Sequence, residues 1–99
     1  TECGAVKASY ATGEDKLGYV GLDNWLGLIK DGFRKNKPKD AYDGVKVNLL
    51  HQVENLKTYP KIDAMIASGQ ITVNAWIYDV HSGHMLEWSD EVQDFTEMI

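Results

Sequence analysis

The chain has 99 residues, of which 43% are hydrophobic and 25% charged, which is the composition of a folded protein rather than a disordered one. That length fits one domain and is too short for a TIM barrel or a complete two-half dinucleotide fold. With 10 Lys and Arg against 15 Asp and Glu, the net charge of −5 argues against a general nucleic-acid binder or attraction to an anionic membrane.

A domain this small buries only about 60–70% of the surface its unfolded chain would expose, so a partner subunit is expected to complete its core. The one cysteine, Cys3, has no internal disulfide partner. That suits a reducing compartment, and a cytoplasmic location is expected. No apolar run approaches the roughly 20 residues of a membrane span, and no signal peptide is visible. The first residue is a threonine, so upstream sequence is expected to have been removed or to be absent here.

In chain order, Thr1 to about Ala11 reads as a turn leading into a short helix, with Gly4 permitting the turn. Thr12 to Lys16 is polar and loop-like. A helix is predicted from about Gly21 to Arg34. Leu22, Trp25, Leu26, Ile29 and Phe33 form one stripe, with Asp23 in its first turn and Lys30 and Arg34 toward its end. The basic stretch Lys35-Asn36-Lys37-Pro38-Lys39 contains a helix breaker and reads as a solvated loop, a phosphate or partner site being the other reading.

A long helix is predicted from about Asp40 to Lys57, with Tyr42, Val45, Leu49, Val53 and Leu56 as its apolar stripe. His51 lies off that stripe and is expected at a flank or an interface. A shorter helix starts near Pro60, with Gly69 as its left-handed cap. From Ile71 to Tyr78, apolar and other residues alternate, which predicts a strand covered on both faces. His81-Ser82-Gly83-His84 is the turn and Met85 to Trp88 the returning arm of a hairpin. The acidic tail, with Asp90, Glu91, Asp94 and Glu97, reads as a solvated end. Trp25, Trp76 and Trp88 are expected in a core or a subunit interface. The fold class is therefore α/β, with three to four helices packed on a short sheet that ends in a β-hairpin, in a single domain over residues 1–99.

Three passages carry a resemblance. Thr1-Glu2-Cys3-Gly4-Ala5-Val6-Lys7-Ala8 resembles the second half of a His-x-x-Cys-Gly-Ala segment. Asn48 to Leu56 is similar to N-x-x-x-Q-V-x-N-L. Gly69 to Asp79, with Gly83 and Leu86, looks like a G-x-L-x-V-x-G-W-x-Y-D strand and the glycine turn after it. In this order they resemble the β-class carbonic anhydrases, matching the carboxyl-terminal part of that fold.

The resemblance implies a mostly parallel sheet wrapped by helices, built as a dimer or a multiple of dimers. It also implies zinc held by two cysteines and one histidine, and interconversion of carbon dioxide and bicarbonate. Cys3 would be the second cysteine, and Gly4 and Ala5 would wall the substrate pocket. The histidine would directly precede Thr1. The upstream C-x-D-x-R segment, with the other cysteine and the Asp–Arg pair, has no counterpart here. Catalytic zinc generally needs three protein ligands and an open position.

Cys3 precedes the first helix, and the amide dipoles at a helix start suit a thiolate, the form that binds metal. His81 and His84 flank the turn after the predicted strand. They could act as substitute ligands or as exposed turn residues. The Thr1 amine is a further potential donor near Cys3. There is no G-x-x-x-x-G-K loop, no G-x-G-x-x-G and no G-x-S-x-G elbow around Ser9, Ser68, Ser82 or Ser89. Three readings follow: a truncated zinc-dependent carbonic anhydrase, a non-catalytic oligomerising relic, or a fragment of a longer enzyme. A homodimer or higher oligomer is expected in each.

Overall fold

The computed structural model describes residues 1–98. The chain order is four helices followed by three strands: α1 Gly4–Thr12, α2 Val20–Lys35, α3 Ala41–Lys57, α4 Pro60–Ala67, β1 Trp76–Tyr78, β2 Met85–Ser89 and β3 Asp94–Glu97. The chain divides into two compact units, Glu2–Leu49 and Thr1 with Leu50–Ile99.

In the first unit, α1 follows Cys3, whose extended backbone ends the preceding turn, and closes at Gly13, where φ is +55°. The loop before α2 is fastened by Asp23, whose carboxylate accepts the Leu17 and Gly18 backbone N–H groups at 2.8 and 3.1 Å. Acidic charge in a first helical turn also suits the helix dipole. Leu26 on α2 and Val6 on α1 are buried hydrophobic side chains of this unit. Gly44 on α3 admits close packing: a Cβ there would lie 3.0 Å from Phe33 Cζ and 3.2 Å from Val6 Cγ1. The start of α3 is capped by two carboxylates. Asp40 accepts from the Asp43 N–H at 2.7 Å, and Asp43 accepts from the Lys39 N–H at 2.9 Å.

In the second unit, Pro60 opens α4, where its missing N–H is not needed. Gly69, at φ +80°, turns the chain out of that helix, and Gln70 and Ile71 both donate to the Met65 carbonyl. The sheet is an antiparallel meander in the order β1-β2-β3. Ile77 pairs with Leu86, and Trp88 pairs with Phe95. The Trp88 and Phe95 rings meet edge to face at 5.5 Å.

Several expectations are corrected. The strand predicted from Ile71 to Tyr78 forms a ladder only at Trp76–Tyr78, because β2 supplies partners for those residues and one further bond, from Trp88 N–H to the Ala75 carbonyl. Alternation without a neighbouring ladder does not make a strand. Nor is β1 covered on both faces: Ile77 is buried, whereas Trp76 and Tyr78 are each 52% exposed.

The acidic tail is not merely a solvated end. It returns as β3, because Phe95 finds Trp88 while the carboxylates around it stay outside. Trp25 is 57% exposed, so it and Trp76 lie outside any core formed within the chain. His51, expected from its helical position at a flank or an interface, is buried within the chain. The apolar stripe of α3 was too narrow a guide to which face is covered.

Candidate metal and turn site

The predicted site residues fall in both units. Cys3 is exposed, and its carbonyl accepts the first α1 hydrogen bond, from Lys7 N–H at 3.0 Å. Gly4 and Ala5 form the first turn of α1. Cys3, Gly4 and Ala5 belong to the unit Glu2–Leu49, and His81 and His84 to the unit that includes Leu50–Ile99.

The two histidines sit on the turn between β1 and β2, and the turn is organised by a residue that sequence reasoning passed over. Asp79 accepts the His81 backbone N–H at 3.0 Å on Oδ1 and the Ser82 hydroxyl at 2.9 Å on Oδ2. Its own N–H donates to the His84 carbonyl at 2.9 Å, and its carbonyl accepts from Gly83 at 2.8 Å. Gly83 takes φ +75°, which a side chain would resist. These bonds, first that from the His81 N–H and then that from the Ser82 hydroxyl, hold the Asp79 carboxyl below the ordinary carboxylate range.

Thr1 joins the same turn. Its ammonium donates to the Tyr78 carbonyl at 2.7 Å, and its hydroxyl oxygen accepts the Val80 N–H at 3.1 Å. The Thr1 amine expected as a potential metal donor is therefore engaged with backbone. His84 is engaged too: Nδ1 lies 2.8 Å from Glu97 Oε1 on β3. An Asp directly after a strand, with Ser and Gly three and four residues further on, is a turn signal. Glu97 had no such signal, because its pairing depends on β3 returning beside the turn.

Zinc chemistry needs a set of donors converging on one point. Among the described residues, no group of three or more His, Cys, Asp or Glu side chains is placed to hold a metal ion. The residues of this chain therefore do not by themselves fit a zinc site of the three-ligand kind. Among the described residues, no helix is long and apolar enough to cross a membrane.

Comparison with known proteins supplies the relationship. Residues 1–85 match the family model described as carbonic anhydrase. The chain is 30% identical over 104 residues to a carbonic anhydrase of Synechococcus elongatus, covering 97% of this chain and 38% of that protein. It is 29% identical over 105 residues to a carbonic anhydrase of Synechocystis sp., again covering 38% of the relative. The solved β-carbonic anhydrase CcaA superposes with a TM-score of 0.75 at 25% identity, over 98% of this chain and 51% of that one. The chain thus spans 38% of the length of the two sequence relatives and about half of the solved chain. On this agreement of sequence and fold, the chain belongs to the β-carbonic anhydrase family.

Proposed function

We propose that these 99 residues form part of a β-type carbonic anhydrase and correspond to the carboxyl-terminal part of that fold. The proposed reaction is the reversible, zinc-dependent hydration of carbon dioxide to bicarbonate. In this reading Cys3 is the one zinc ligand the chain carries, and Gly4 and Ala5 wall the substrate pocket. The observation that carries the reading is the family match over residues 1–85, which includes Cys3 and runs through both compact units. That continuity supports treating the units as parts of one domain. The remaining ligands then come from residues outside this sequence. His81 and His84 serve the turn rather than the metal.

A second reading is favoured by the donor set. A chain with one cysteine and no converging partners among the described residues fits a non-catalytic, oligomerising relic. The two readings separate in one experiment. The segment of the Synechococcus elongatus relative that precedes its match is fused ahead of Thr1. An amide N–H at Thr1 can still donate to the Tyr78 carbonyl, so the junction is compatible with the observed turn.

The enzyme reading expects carbon dioxide hydration by the fusion, followed by stopped flow with a pH indicator, and its loss in Cys3→Ala. A folded fusion without activity would favour the relic. Association into a homodimer or higher oligomer is part of the proposal, supported by the exposure of Trp25, Trp76 and Tyr78. A monomer at every concentration in sedimentation would count against it. A cytoplasmic, reducing location suits the unpaired thiol of Cys3.

A further inference from the structure

We propose that the cavity lined by residues of α1, α2 and the loop after α2 binds a small organic carboxylate with an apolar body, its anionic head held by the Lys30 ammonium. Lys30 is only 8% exposed, yet among the described residues its side chain makes one hydrogen bond, from Nζ to the Asp15 backbone carbonyl at 2.9 Å. It makes no ion pair among the described residues. An ammonium carries three donors, and a buried charge is ordinarily paired. Two donors of Lys30 are left to use.

Ser9 is an independent sign at the same place. It is fully buried on α1, and its hydroxyl oxygen has no hydrogen-bond partner. A serine or threonine inside a helix commonly bonds back to the carbonyl four residues earlier, as Thr12 does to Ala8 at 2.8 Å. Ser9 does not. Both Ser9 and Lys30 line one cavity of about 380 Å³ in the unit Glu2–Leu49. Ser9 is thus a second unpartnered polar group in the wall of the same cavity.

The remaining walls choose the ligand class. Arg34 and Lys37 add positive charge at the cavity. The one carboxylate there, Glu14, is held by Arg34, with Nε to Oε1 at 3.1 Å. Tyr10, Phe33 and Pro38 supply apolar surface. Two unused donors beside aromatic and proline walls suit one carboxylate on a compact apolar frame. An inorganic anion would leave those walls uncovered. The volume falls in the range of small-molecule sites. The basic stretch Lys35 to Lys39 thus contributes through Lys37, while Pro38 is buried rather than solvated.

The test is titration of the 99-residue chain with benzoate, read by amide NMR shifts and calorimetry, with inorganic phosphate and acetate as comparison probes. Saturable shifts at Ser9, Lys30 and Phe33 are expected. Lys30→Met should weaken benzoate binding by about tenfold or more, and Ser9→Ala by roughly threefold to tenfold. Acetate and phosphate should each bind about tenfold more weakly than benzoate, for want of an apolar body. Circular dichroism on both variants separates a lost site from a lost fold. No saturable shift at these residues overturns the proposal, as does unchanged benzoate affinity in a folded Lys30→Met chain. Phosphate binding as tightly as benzoate overturns the apolar-bodied class.

Discussion

Replacing Lys30 with Met should make the ligand-free protein more stable. Met has nearly the length and flexibility of the lysine stem, so packing beside the cavity is kept. Two terms oppose each other. The hydrogen bond to the Asp15 carbonyl, at 2.9 Å, is lost. A bond from a charged donor is worth about 1.5–3 kcal/mol. Asp15 is exposed, so water satisfies its carbonyl once the ammonium is gone, and the loss falls at the low end.

Against this stands the desolvation of an ammonium at 8% residue exposure with no counter-ion among the described residues. The penalty in real proteins is several kcal/mol per ion. The Lys30 ammonium is only part-buried, so the net is a gain of about 1 kcal/mol, which for a chain of this size raises the melting temperature by roughly 4–8 °C. Urea unfolding followed by tryptophan emission is the assay. The midpoint should rise while the slope stays unchanged. A midpoint that falls in Lys30→Met would refute the reasoning, because it would mean that the ammonium is well compensated in the free protein.

Gly69→Ala should destabilise by about 1 kcal/mol, since φ is +80° and a Cβ there meets nothing within 4 Å, leaving only the backbone penalty. The same urea assay reads it. Phe95→Ala removes the edge-to-face contact with Trp88 and should cost about 1–3 kcal/mol, with a change in Trp88 emission as β3 loosens. Asp79 gives a pH dependence. Its folded-state carboxyl lies below its ordinary value of 3.8, so its contribution is present above that value and is lost as pH falls through the lower folded value. On acidification from about pH 6 to about pH 3, the native chain should therefore lose more stability than Asp79→Asn, and equal losses would contradict the role given to that turn.

The helices were legible because their signals are local. Leu26 and Phe33 on a helical stripe, Pro60 at a first turn and Gly69 after a last turn each act within a few residues of themselves. The sheet was less legible because a strand depends on what lies beside it. The alternation from Ile71 to Tyr78 is real, but only Trp76–Tyr78 meets a partner ladder. Nothing local in Asp94 to Glu97 announces that Phe95 will be drawn to Trp88.

The candidate site divides in the same way. The resemblance of Cys3 and the residues after it to a motif lies within a few adjacent positions and is visible in sequence. The engagement of His84 with Glu97 is not, since it needs the return of β3. Lys30 read as an ordinary cation near a helix end, because sequence position does not show burial. Ser9 falls in no nucleophile motif of the sequence, and its unpartnered hydroxyl is a property of packing.

The central claim is that this chain carries one zinc ligand, Cys3, and that the others lie outside its 99 residues. Zinc per chain, measured by elemental mass spectrometry after desalting, tests it most directly. The 99-residue chain, its fusion to the preceding segment of the Synechococcus elongatus relative, and the fusion with Cys3→Ala are compared. The account predicts far less than one zinc on the chain alone, close to one on the fusion, and loss of that zinc in Cys3→Ala. Close to one zinc on the chain alone, lost when Cys3 is replaced there, would contradict it and place the whole ligand set within these residues or their assembly.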